Sequence, residues 1–179
     1  MPGLVLEGGT FRPVFSCGVM DALLDHDIMF DYVVGVSAGI TYAISYLSRQ
    51  RGRNLEVLRR YRGDSRYFGM RNLPHDHSIF GTDFVFDTIP NQLSPFDWET
   101  YHRYKGRILV GVTNAETGRA EYLDGAKLDR TCTMLRATCA IPLYFPAVQL
   151  SGGTFYDGGV ADPIPIVRSL HDGNRKNLI

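Results

Sequence analysis

Tyr32-Val33-Val34-Gly35-Val36-Ser37-Ala38-Gly39-Ile40 is an apolar run that closes in Gly-x-Ser-x-Gly and passes directly into helix-forming residues. Residues 32–36 predict a buried strand and Ala38 onward a helix, which leaves Ser37 on a sharp turn with its hydroxyl projecting outward. Glycines on both sides leave room for a strained backbone and for the approach of a substrate. Taken alone the pattern has two readings, a nucleophile elbow or a plain small-residue turn.

Upstream, Leu4-Val5-Leu6 predicts a short buried strand that runs into Glu7-Gly8-Gly9-Thr10-Phe11-Arg12-Pro13, after which helical periodicity resumes at Val14 and Phe15. Two strands alternating with helices within fifty residues predict an α/β protein with a parallel sheet, whose ligand sites gather at the carboxyl ends of the strands. Both glycine turns then share one edge. Downstream, residues 54–61 predict a third helix, and residues 63–104 mix aromatics, Gly and Pro without clear period. That stretch is either a lid or lipid-facing surface, or irregular helices packed on the core. Arg107 to Thr113 is the clearest later strand, with a returning strand at Ala120 to Leu123. Leu128 to Ala140 predicts a helix with Asp129 as its cap, ending before Ile141-Pro142. Strands at Val148 to Leu150 and around Phe155 lead to Asp157-Gly158-Gly159, and Lys176 to Ile179 reads as the start of another strand.

Length and composition fit one globular domain over residues 1–179. Acidic and basic residues balance at 19 each, hydrophobic residues make up 44%, and there are no repeats or low-complexity tracts. The opening residues lack the basic leader of a secretory signal, and no apolar run reaches membrane-spanning length. Cys17, Cys132 and Cys139 have no metal-ligand spacing, so they read as core thiols in a reducing cytoplasm. Eight arginines between Arg49 and Arg71 stand against Glu56 and Asp64, a net of plus six by count. They read either as a solvated helix face or as a contact for anionic head groups at a membrane surface.

Acyl transfer needs a nucleophile, a proton acceptor and donors aimed at the developing oxyanion. Ser37 is the candidate nucleophile. The Gly8-Gly9-Thr10-Phe11-Arg12 turn offers backbone N–H groups and the Arg12 charge for an oxyanion hole; as a phosphate loop it lacks the third glycine of G-x-G-x-x-G and the Lys-Ser/Thr of a Walker loop. Two acceptors compete. A Ser-Asp-His order allows His171 as base with Asp157 or Asp124 as orienter, but Ser37 follows only the second strand, which does not suit that layout. Asp157, between glycines, is better placed to approach another loop.

Together these motifs resemble the bacterial branch of the patatin-like phospholipase family. Glu7-Gly8-Gly9-Thr10-Phe11-Arg12, Gly35-Val36-Ser37-Ala38-Gly39 and Asp157-Gly158-Gly159 occur in the family's order, and Ala137 to Pro146 resembles the stretch before its aspartate. The resemblance spans residues 4 to about 166. It implies a three-layer patatin-like fold with a parallel-rich central sheet flanked by helices. It further implies a lipid acyl hydrolase in which Ser37 attacks an ester carbonyl and Asp157 takes the proton, while Gly8, Gly9, Thr10 and Arg12 steady the oxyanion. No metal, cofactor or nucleic acid is expected; the partner is an acyl lipid or phospholipid, with peripheral membrane contact through the arginines and the aromatics of residues 79–98. Ser37 and Asp157 should lie within hydrogen-bonding reach. Thr10 replaces the family's third loop glycine, Pro13 stands where a glycine usually follows the basic residue, and family members usually continue past the Asp-Gly-Gly loop, so a C-terminal portion is expected to be missing. These departures sustain a second reading, a lipid-binding or regulatory protein that keeps the fold without the chemistry.

Overall fold

The computed structural model describes residues 2–10 and 12–179; Phe11, part of the loop motif, lies outside the described residues. Four parallel strands run side by side in one seven-stranded sheet, β1 (Pro2–Leu6), β2 (Tyr32–Val36) and β3 (Arg107–Asn114) with β7 (Lys176–Leu178) at the edge beside β1. β4 (Ala120–Asp124) returns antiparallel on β3, and β5 (Val148–Leu150) pairs antiparallel with β6 (Gly153–Asp157). The predicted α/β class, the hairpin and the strand at residue 176 are all present.

The central strands are near-continuous runs of buried residues because a parallel sheet is covered on both faces. Their side chains divide with period two. Leu4, Leu6, Val33, Ile108 and Val110 enter the larger core, with α1 (Val14–Asp25), α2 (Ser37–Leu47), α5 (Trp98–Arg103) and α6 (Thr133–Thr138) contributing Met20, Ile40, Tyr101 and Leu135. Val5, Val34 and Leu109 face the other way with Tyr32, under Tyr122 and Ile166, the first residue of α7 (Ile166–His171). α3 (Arg53–Tyr61) packs on α1 and α2, and the four-residue α4 (Leu73–Asp76) buries no residue.

Two expectations change. The helix anticipated from Leu128 to Ala140 is α6 alone, because Cys132 takes a left-handed conformation at φ 52° and Asp129 caps a turn at Thr131 instead. Residues 63–104 are irregular helices on the core: a bridge joins Phe68 to Phe80, a π-helix spans Phe84–Leu93, and Phe84, Phe86, Phe96 and Trp98 are buried. Phe84, Phe86, Phe96 and Trp98 therefore do not face lipid, whereas Phe68 is exposed. Among the described residues no helix is long and apolar enough to cross a membrane.

Topology also brings two distant loops together. β2 pairs with β3 as far as Gly111, while β4 occupies the opposite side of β3. β6, running the other way, pairs with Val112 to Asn114 on the side that β2 vacates. β2 and β6 therefore meet end to end, one finishing at Val36 and the other at Asp157.

Candidate active site

Ser37 sits at the end-to-end junction with φ 50°, a left-handed value that a serine holds only when its surroundings enforce it. Its N–H donates to Thr138 Oγ1 at 2.9 Å, and Thr138 Oγ1 donates in turn to Gly111 O at 2.5 Å. Gly39 lets α2 settle on the end of β1, since a Cβ there would stand 2.3 Å from Glu7 O. Ser37 Oγ donates to Asp157 Oδ2 at 2.7 Å.

Asp157 is held as firmly. Its N–H donates to Ala140 O, its carbonyl accepts from Thr113 Oγ1 at 2.8 Å, and Gly159 N–H donates to Oδ1 at 2.7 Å. Only 5% of the residue is exposed. Burial pushes its pKa above the ordinary carboxylate value, against the opposing hydrogen bonds from Ser37 and Gly159. A raised pKa makes the ionised carboxylate a stronger proton acceptor for the hydroxyl it already receives.

No histidine intervenes between Ser37 Oγ and Asp157. His171 lies on α7 with its side chain 83% exposed beside Asp172, and Asp124 accepts the Ala126 N–H. The structure thus does not assemble the alternative triad.

The glycine loop is arranged differently from expectation. Gly8 N–H is committed to Pro163 O at 3.0 Å, while the Gly9 and Thr10 N–H groups have no acceptor among the described residues. Gly9 carries the positive φ, at 143°, and Thr10 does not, so a Cβ at Thr10 is tolerated. Pro13 stands at the N-cap of α1, where its missing N–H leaves no helical bond unmade. Arg12 folds over its own loop, with Nη2 3.3 Å from Gly8 O and 3.8 Å from Glu7 Oε2.

An apolar pocket of about 130 Å³ opens beside Ser37, lined by Thr10, Thr41, Tyr42, Phe86 and Cys139 among others. Phe80 and Phe145, which line this pocket, stack with centroids 5.6 Å apart, and Phe68 packs edge-on against Phe80 from outside, with centroids 4.9 Å apart. A larger open groove of about 780 Å³ lies between α1 and α3 and shares no lining residue with the pocket.

The patatin-like phospholipase family model matches residues 4–168. The chain belongs to the patatin-like phospholipase family. It is 30% identical to a protein of Pseudomonas aeruginosa named cGAMP-activated phospholipase, over 94% of this chain and 55% of that protein. It is 25% identical to the uncharacterized protein YjjU of Escherichia coli, over 98% of this chain and 50% of that protein. The chain therefore spans about half the length of these curated relatives.

Motif reading missed Thr138. It is fully buried and bonded to both Ser37 and Gly111, and its only signal was its place in the 137–146 stretch. Thr138→Val keeps the shape but leaves the Ser37 N–H and Gly111 O without their partner, which costs about 2 kcal/mol. Thermal unfolding should show a lowered Tm; an unchanged Tm would mean that these bonds do not hold the elbow.

Proposed function

We propose that this chain is a lipid acyl hydrolase working through a Ser37–Asp157 dyad. The observation that carries the reading is the 2.7 Å hydrogen bond between a strained elbow serine and a buried carboxylate at the mouth of an apolar pocket. Asp157 Oδ2 takes the Ser37 proton as Oγ bonds to the ester carbonyl carbon. The oxyanion forms against the Gly9 and Thr10 N–H groups, which have no other described acceptor; Gly8 and Arg12 hold the loop in shape, and the Arg12 charge supplements the field. Protonated Asp157 then returns the proton to the departing alcohol. In the second half, water gives a proton to Asp157 as its oxygen bonds to the acyl carbon, and Asp157 passes that proton to Ser37 Oγ as the acyl–Oγ bond breaks, which releases the fatty acid and restores both residues. Hydrolysis of a short-chain nitrophenyl ester and of phospholipid vesicles by the purified protein tests this. Activity on neither would leave lipid binding without catalysis as the function.

Contact with a lipid surface belongs to the same reading, with different residues from those expected. Leu143 is fully exposed at φ 71° and Tyr144 is 60% exposed, two and three residues after Ile141, which lines the pocket. Phe68 stands exposed across the rim. Holding a bulky apolar residue in a strained and solvated position costs free energy that immersion in acyl chains would offset. Of the arginines, Arg49, Arg51, Arg60 and Arg66 pair with carboxylates, whereas Arg59, Arg62 and Arg71 make no ion pair among the described residues. The double substitution Leu143→Ser with Tyr144→Ser should lower the rate on anionic vesicles at least tenfold more than on the soluble ester. Equal losses on both would remove the surface role.

A further inference from the structure

Thr41, Tyr42, Tyr67, Val85 and Phe86 line the pocket beside Ser37 and also line a second cavity of about 80 Å³. One layer of side chains therefore separates the two spaces. The second cavity is walled by Ile89, Phe96 and Leu135, yet it also holds Arg53 and Trp98. Arg53 donates through Nη2 to Ser94 O at 2.8 Å and through Nη1 to Ser45 Oγ at 3.4 Å, and its guanidinium carbon lies 5.4 Å from the Phe96 ring centroid. Trp98 packs edge-on against the same ring, 4.7 Å between centroids. The Arg53 Nε–H and the Trp98 Nε1–H are both buried, and neither has an acceptor among the described residues. Arg49, Arg51, Arg60 and Arg66 each meet a carboxylate, whereas Arg53 makes no ion pair among the described residues.

Arg53 is part-buried, and a cation drawn partly out of water with spare donors is stabilised where an anion meets it. Apolar walls leading from an ester-cleaving serine to such a cation match one kind of molecule, a chain with an ester at one end and a carboxylate at the other. We propose that the second cavity receives the far end of the acyl chain and that Arg53 and Trp98 bind a terminal carboxylate there. The preferred substrates are then esters of ω-carboxy fatty acids. This rests on the hydrolase reading of Ser37 and Asp157. Passage of the chain requires the shared wall, Tyr42 and Phe86 included, to change rotamer, and dehydration of the carboxylate is partly offset because its counter-charge is already partly dehydrated.

Trp98 is the chain's single tryptophan, so its fluorescence reports occupancy of the cavity without requiring catalysis. The Ser37→Ala protein would be titrated with monomethyl esters of dicarboxylic acids, from hexanedioate to dodecanedioate. Each is set beside the methyl ester of the monocarboxylic acid of equal length. At the length that spans both cavities the carboxylate-bearing ester should bind at least tenfold tighter. Arg53→Gln should reduce that affinity to the level of the neutral ester, and Arg53→Lys should retain part of the preference. Equal affinities across the whole series would overturn the proposal, because the spare donors are then met by water alone; so would a preference that survives in Arg53→Gln. Should Arg53→Gln fail to fold, the comparison in the protein that keeps Arg53 decides by itself. A tenfold preference without ester hydrolysis by the parent protein would leave the carboxylate site and remove the hydrolase reading. Hydrolysis with equal affinities would do the reverse.

Discussion

Ser37→Ala should lower the rate of ester hydrolysis by at least about 10⁴-fold, the scale on which loss of a nucleophile is felt once the residual effects of binding and oxyanion donors are discounted. The fold should survive. Alanine keeps the backbone at φ 50°, Thr138 Oγ1 still accepts the residue 37 N–H, and the lost hydroxyl vacates a single hydrogen bond to Asp157. The variant should therefore unfold within a few degrees of the parent while its activity disappears, measured on a soluble nitrophenyl ester. Activity kept in this variant would mean that the elbow is a turn and nothing more.

Asp157→Asn is the second large effect, and here activity and stability should move in opposite directions. Asparagine fits the site: Oδ1 accepts the Gly159 N–H, and the amide nitrogen takes the place of Oδ2. That nitrogen donates to Ser37 Oγ where the carboxylate accepted, so the hydroxyl has nowhere to send its proton. A fall in rate of about 10³-fold or more is expected for removal of the base. Stability follows from burial. Because the folded-state pKa of Asp157 is raised, its contribution to stability is fully present below the ordinary carboxylate pKa and is lost as pH rises through the folded value. At neutral pH the buried charge weighs against the fold, and the neutral amide of the variant is free of it. The Tm of the variant should exceed that of the parent near pH 7, and the gap should close in acid. The same shift places the acid limb of the parent's pH–rate profile above that of an ordinary aspartate, since the base must be ionised to act.

Much of the site was legible in the sequence because its parts are local. A strand, a glycine turn and a helix N-terminus follow one another within ten residues around Ser37, and burial on both sheet faces made β1, β2 and β3 continuous apolar runs. Their meeting was less legible. Nothing in the period of residues 148–157 says that β6 takes over the side of β3 that β2 leaves; the order of three motifs carried that inference. Side-chain commitments were not legible at all. Gly8 gives its N–H to Pro163 O, Arg12 turns to its own loop, and Thr138 reaches across to the elbow, each through a contact between residues distant in the chain or through a rotamer that spacing does not encode. The aromatics of residues 84–98 show the same limit. Without a periodic pattern, a buried phenylalanine and a lipid-facing one look alike in sequence, and the π-helix that turns Phe84 and Phe86 inward breaks the 3.6-residue rhythm that would have shown its buried face.

The central claim, that Ser37 is a nucleophile activated by Asp157, is tested most directly with a fluorophosphonate probe, which reports on the serine and its base without a choice of lipid. Peptide mapping by mass spectrometry should place one adduct on Ser37 in the parent protein and find none on that residue in Asp157→Asn over the same interval. An adduct forming on Ser37 of Asp157→Asn at the parental rate, or forming only on another residue, would contradict it.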